Sequence, residues 1–172
     1  FDKLCAQAEP FRTKFARMSF GRPLLTTLED YRDLAAALTE ILPEAEPDTA
    51  HVFMGHGTEH YANAAYCQLE YMLHDSGRTD AVLGTVEGYP GLEEVFRRLD
   101  ERKTVKKVVL HPLMVVAGDH AKNDLAGDEP ESWRSQLTER GYQVSCELKG
   151  LGEYPQIRAL FVRHALEAAE DC

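Results

Sequence analysis

Residues 51–86, HVFMGHGTEHYANAAYCQLEYMLHDSGRTDAVLGTV, hold an apolar run, a glycine-punctuated turn, a helical stretch and a second apolar run. Short apolar runs bounded by turn residues suit buried strands, and two such runs joined by a helix make a parallel crossover unit. The reading places strands at 51–54 and 81–86 and a helix at 62–73. Downstream the same alternation continues. Residues 91–99 form a helix with Arg97, Arg98 and Arg102 near its end, 105–110 a strand and 132–140 a helix. Residues 142–148 alternate in polarity as an edge strand does, and 155–169 form a last helix. Upstream, Leu28, Tyr31, Leu34, Ala35, Leu38, Ile41 and Leu42 recur at helical spacing behind Thr27, until Pro43 and Pro47 end the pattern. Strands alternating with helices of this length predict an α/β fold, a parallel four-stranded sheet with helices on both faces.

Length and composition bound the function. A chain of 172 residues fits one domain, or one domain with a piece of another, and 44% apolar residues can build its core. With 29 acidic against 19 basic residues the net charge is −10, so the attraction that dominates nucleic-acid binding is missing. No stretch approaches the roughly 20 apolar residues that span a bilayer. Cys5, Cys67, Cys146 and Cys172 lie far apart with no C-x-x-C pair, as free thiols in a reducing, cytoplasmic compartment do. The opening FDKLCAQAEPFRTKF reads as a helix cut into partway and broken near Pro10, the expectation for a fragment or a processed product.

Three polar positions lie just past the apolar runs: His56 after the first, Glu87 after the second, and His111 or His120 after the third. The carboxyl ends of parallel strands open on one crevice, where open α/β sheets place ligands. Two imidazoles and a carboxylate there suit a borderline divalent metal such as Co(II), Ni(II), Fe(II) or Zn(II), and also proton transfer. Around His56, Gly55 and Gly57 permit a sharp turn, but both phosphate-loop glycine spacings are absent. His60, four residues on, would share a helix face with His56 were the turn helical. The bland alternative for Glu87 is a solvated carboxylate capping the helix near Gly91.

Residues 111–128 gather His111, Asp119, His120, Lys122, Asn123, Asp124 and Asp128 in a loop without clear periodicity, and spacing alone leaves His111 against His120 open. Trp133 reads as core, Glu153 as a cap of the last helix, His74 and His164 as structural residues on helix surfaces, and His51 as a structural strand residue.

MGHGTEHYAN, VEGYP, PLMVVAGDHAKNDLAGDEPESW and GLGEYP, in this order, resemble the anaerobic sirohydrochlorin cobaltochelatases, the class II chelatases of early-insertion cobalamin biosynthesis. The resemblance runs from about Phe11 to the last helix; Val116 and Leu125 depart from it within an otherwise matching loop. It implies a chelatase-like fold, one half of a bilobal enzyme, with residues 1–25 the end of a preceding domain or an inter-domain segment and 26–172 the metal-binding domain. It implies that His56, Glu87 and His120 are the metal and catalytic residues, which decides for His120 over His111. It further implies ATP-independent insertion of Co(II) as substrate metal, with Ni(II) or Fe(II) as other metals, into the tetrapyrrole sirohydrochlorin. The missing first half, or another chain such as a second copy in a homo-oligomer, would close the cleft. A lost leader would make the location periplasmic. A tetrapyrrole or metal carrier without turnover, and a metal-dependent hydrolase using Asp119 or Asp124, are the rival classes.

Overall fold

A computed structural model describes residues 2–170, and Phe1, Asp171 and Cys172 lie outside it. A first helix α1 (Asp2–Ala8) gives way at Pro10 to a 3-10 segment (Glu9–Lys14), the break expected there. Then follow α2 (Leu28–Ile41), β1 (Thr49–Gly55), α3 (Ala64–Asp75), β2 (Ala81–Thr85), α4 (Leu92–Glu101), β3 (Lys107–Pro112), α5 (Trp133–Glu139), β4 (Gln143–Cys146) and α6 (Pro155–Glu170). The strands form one parallel sheet in the order β2-β1-β3-β4. The expected α/β architecture is therefore the observed one, with β4 at an edge.

Two apolar layers hold the sheet. Phe53, Ala81 and Leu83 pack against Leu34 and Leu38 of α2, Leu69 and Leu73 of α3 and Ile157 of α6. On the opposite face Val52, Met54, Val82, Val108 and Leu110 meet Val95, Phe96 and Leu99 of α4 and Trp133 and Leu137 of α5. Burial on both faces explains the near-continuous apolar runs. Trp133 is core, as read.

Helix α2 begins with a reciprocal cap: the Thr27 hydroxyl accepts from Asp30 N–H, and the Asp30 carboxylate accepts from Thr27 N–H at 2.8 Å. Asp30 also takes charge-assisted bonds from Arg22 (2.9 Å) and from His164 Nε2 (2.9 Å). This corrects the reading of His164 as a surface residue. It follows Ile157, Leu160 and Phe161 on the apolar stripe of α6 and is 2% exposed, satisfied by Asp30 and by the Arg22 carbonyl. Leu24 and Leu25 pack on the same layer.

Although β2 is an edge strand, two of its outward carbonyls are occupied. His74 Nε2 donates to Ala81 O (2.7 Å) and Arg98 donates to Leu83 O (3.2 Å). At β4 the pattern is the open one, with Gln143 and Ser145 exposed. Among the described residues Cys5, Cys67 and Cys146 are free, while Cys172 lies outside them. No helix among those residues is long and apolar enough to cross a membrane.

Candidate metal site at the sheet rim

The strand order reverses at β1, which is hydrogen-bonded to β2 on one side and β3 on the other, so the crevice past its carboxyl end is a topological switch point. His56 is the first residue beyond β1. Backbone pairing continues past the strands: Val86 N–H donates to Gly55 O (3.0 Å) and Glu87 N–H to His56 O (2.8 Å). Glu87 is thereby fixed beside His56. Gly57 turns the chain at φ +82°, and a Cβ there would stand 2.7 Å from Gly88 N, so only glycine fits between the two turns.

His120 arrives differently. Residues 119–125 make a short helical segment that ends in a π turn (Ala121–Leu125), closed by Ala126 N–H to Ala121 O at 3.3 Å. This corrects the expectation of a purely irregular loop. Ala121 and Leu125, both 0% exposed, anchor one side in the core. His120 and Asp124, at the same four-residue spacing, lie together on the other side. Single π turns of this kind recur at functional sites.

The rings of His56 and His120 meet edge to face with centroids 4.7 Å apart. Each is oriented through Nδ1. The Gly57 carbonyl can only accept, so His56 Nδ1 (3.0 Å) is the protonated nitrogen of the neutral ring; the Asp124 carboxylate does the same for His120 Nδ1 at 2.5 Å. In both rings the Nε2 lone pair is left for a metal or a proton, the arrangement typical of metal-bound histidine. Glu87 Oε2 stands 3.6 Å from His56 Nδ1, beyond hydrogen-bond range and on the side away from Nε2. Its side chain is 58% exposed. As they stand, no three His, Cys, Asp or Glu side chains among the described residues form a closed ligand cage.

The other candidates lie elsewhere. His60 caps the 3-10 turn Tyr61–Asn63, accepting from Ala62 N–H (3.2 Å), and does not join His56. Glu94, not Glu87, caps α4 by accepting from Gly91 N–H (2.8 Å). Glu153 caps the 3-10 turn Leu151–Glu153 through Gly150 N–H rather than α6.

His111 is buried on the sheet face, stacked on Phe53 and hydrogen-bonded to His51 Nδ1 at 3.0 Å. Burial, then the neighbouring His51 and Arg78, push its pKa down to about 3. His51 is lowered as well, its burial outweighing the pull of Asp80. Both folded values lie below the unfolded value of about 6.5, so the unfolded chain binds more protons between them. Stability intact above about pH 6.5 should fall as the pH drops toward 3. Urea titrations across that window should show the slope, and His111→Leu should reduce it; an unchanged slope would exclude His111 as a source.

Sequence reasoning missed two supports of the site: the Tyr66 hydroxyl, which accepts from Gly57 N–H (3.2 Å), and Asn63. Tyr66 carries a faint signal, since a Cβ on Gly55 would stand 2.1 Å from its ring.

The sequence matches the cobalt chelatase (CbiK) family over residues 1–170. It is 40% identical over 168 residues to a sirohydrochlorin cobaltochelatase of Salmonella typhimurium, covering 98% of this chain and 63% of that protein. It is 36% identical over 179 residues to the sirohydrochlorin cobaltochelatase CbiKC of Nitratidesulfovibrio vulgaris, covering 99% of this chain and 62% of the other. The chain thus spans under two thirds of the length of these relatives. Among solved structures, a multi-domain protein of Deinococcus radiodurans with structural similarity to chelatases shares the fold, with TM-score 0.55 at 18% identity over 80% of this chain and 30% of that one.

Proposed function

Because the chain belongs to the cobalt chelatase (CbiK) family, we propose that it carries the metal-handling half of an ATP-independent insertion of Co(II) into sirohydrochlorin. The observation that carries this reading is the pair of imidazoles, His56 and His120, in edge-to-face contact with both Nδ1 atoms already committed. In the reaction one divalent cation enters the macrocycle and two pyrrole protons leave, so charge balances. A neutral imidazole, with a free pKa near 6.5, suits both holding the ion and taking a proton. Glu87, swung toward the ion, adds the negative charge that favours the dication and proton departure. Without thiolate, nitrogen and oxygen donors hold a borderline metal loosely enough for hand-over, and they accept Ni(II) or Fe(II) on the same terms. Residues 26–172 form the metal-handling domain in this reading. The facing wall comes from a segment outside this chain or from another chain, a second copy included.

Anaerobic mixing of the protein with Co(II) and sirohydrochlorin tests the proposal through the absorbance change of the metallated product. Binding of both without that change would make the protein a carrier. Glu87→Gln keeps the shape and removes the charge, and should weaken Co(II) binding roughly tenfold while slowing insertion. Equal affinity, measured by calorimetric titration, would remove Glu87 from the metal's surroundings.

A further inference from the structure

Asn63 stands immediately before α3, where an asparagine ordinarily caps its helix, yet its side chain makes no cap bond. The carboxamide turns instead to the two turns of the rim. Its Oδ1 accepts from Thr58 N–H (3.0 Å), two residues after His56, and its Nδ2 donates to Tyr89 O (2.5 Å), two residues after Glu87. These partners fix which end of the amide is oxygen, because one can only donate and the other only accept. The contact is close: a Cβ on Gly88 would stand 2.6 Å from Asn63 Oδ1. Behind Asn63, α3 is rooted in the core by Leu69 and Leu73, both 0% exposed.

We infer that Asn63 is a positioning residue, a latch that joins the His56 turn to the Glu87 turn and holds both to the rigid end of α3. The inference rests on the proposed metal reading only for its functional consequence. Asparagine is suited to the task because the bond to Thr58 needs an acceptor and the bond to Tyr89 needs a donor on the same short fork. Aspartate offers two acceptors, and alanine offers neither. A site held by a supporting shell keeps its ligands at working separation, and loss of such outer partners typically costs 10- to 100-fold in metal affinity.

Two variants test the latch. Asn63→Ala removes both bonds, while Asn63→Asp keeps the acceptor for Thr58 and sets a second acceptor against the Tyr89 carbonyl. Amide exchange in the metal-free protein should accelerate at Thr58 in Asn63→Ala only, and at Glu87 in both variants. Co(II) affinity should fall roughly 10- to 100-fold in both, with kcat for insertion reduced and KM for the tetrapyrrole unchanged. In a Glu87→Gln background the additional loss should shrink to the part that acts through His56, whereas a general loss of folding would add in full. Wild-type exchange at Glu87 in both variants would overturn the latch, as would undiminished Co(II) affinity in a protein whose wild type binds the metal. A wild type that does not bind Co(II) would overturn the metal reading instead, and exchange would then decide the latch.

Discussion

His120→Ala should abolish cobalt insertion, a loss of at least about 100-fold, the scale of removing a group that takes part in proton transfer. The fold should survive. His120 is partly exposed on a short turn whose packing is supplied by Ala121 and Leu125, so its truncation removes no core contact. Substitutions of this kind stay within about 0.5 kcal/mol, about 2 °C in melting temperature for a chain of this size. Stopped-flow absorbance and a thermal melt on the same preparation separate the two effects. An insertion rate equal to wild type would remove His120 from the mechanism, and a collapsed melt would make the lost activity uninformative about chemistry. Asp124→Asn should fall between, since it keeps an acceptor for His120 Nδ1 and loses the charge.

Asp30→Ala should be strongly destabilising although it lies away from the site. Its carboxylate is 1% exposed and receives Arg22, His164 and two backbone N–H groups at the start of α2. Removing one member of a buried ionic network leaves the others unpaired, at about 3–5 kcal/mol, roughly 6–20 °C in melting temperature. Burial alone would raise the carboxyl pKa, but the bonds from Arg22, from the backbone and hydroxyl of Thr27 and from His164 outweigh it and hold it well below the usual carboxylate range. A folded value below the unfolded one, about 3.9, means that this contribution is whole above about pH 4 and is lost as the pH falls further. Denaturant titrations on Asp30→Asn should therefore lack the loss that wild type shows below pH 4. Persistence of that loss would place its origin elsewhere.

Much of the architecture was readable because each layer imposes a pattern. β1, β2 and β3 show near-continuous apolar runs since they are covered on both faces, and β4 alternates since it is half-covered at an edge. The turn bearing His120 was illegible because a segment of a few residues carries no full helical period. Its only trace was paired spacing, Ala121 with Leu125 and His120 with Asp124. His164 was misread although it continues the stripe of Ile157, Leu160 and Phe161, because histidine's polarity was weighed above its position. At the site, local reasoning narrowed the third position to His111 or His120, and resemblance decided between them. Their surroundings differ: His111 lies on the buried sheet face against Phe53, and the His120 ring meets that of His56 from an anchored turn. Asn63 left only the faint trace of Gly88, whose Cβ would stand 2.6 Å from its Oδ1, since both of its hydrogen-bond partners are backbone groups.

The occupied carbonyls of β2 give the protein a direction in which it can be joined. With Ala81 O and Leu83 O satisfied by His74 and Arg98, that flank offers fewer acceptors to an intruding chain, and unwanted ribbon growth is disfavoured there. A strand recruited to lengthen the sheet meets the less obstructed edge beside Gln143–Cys146.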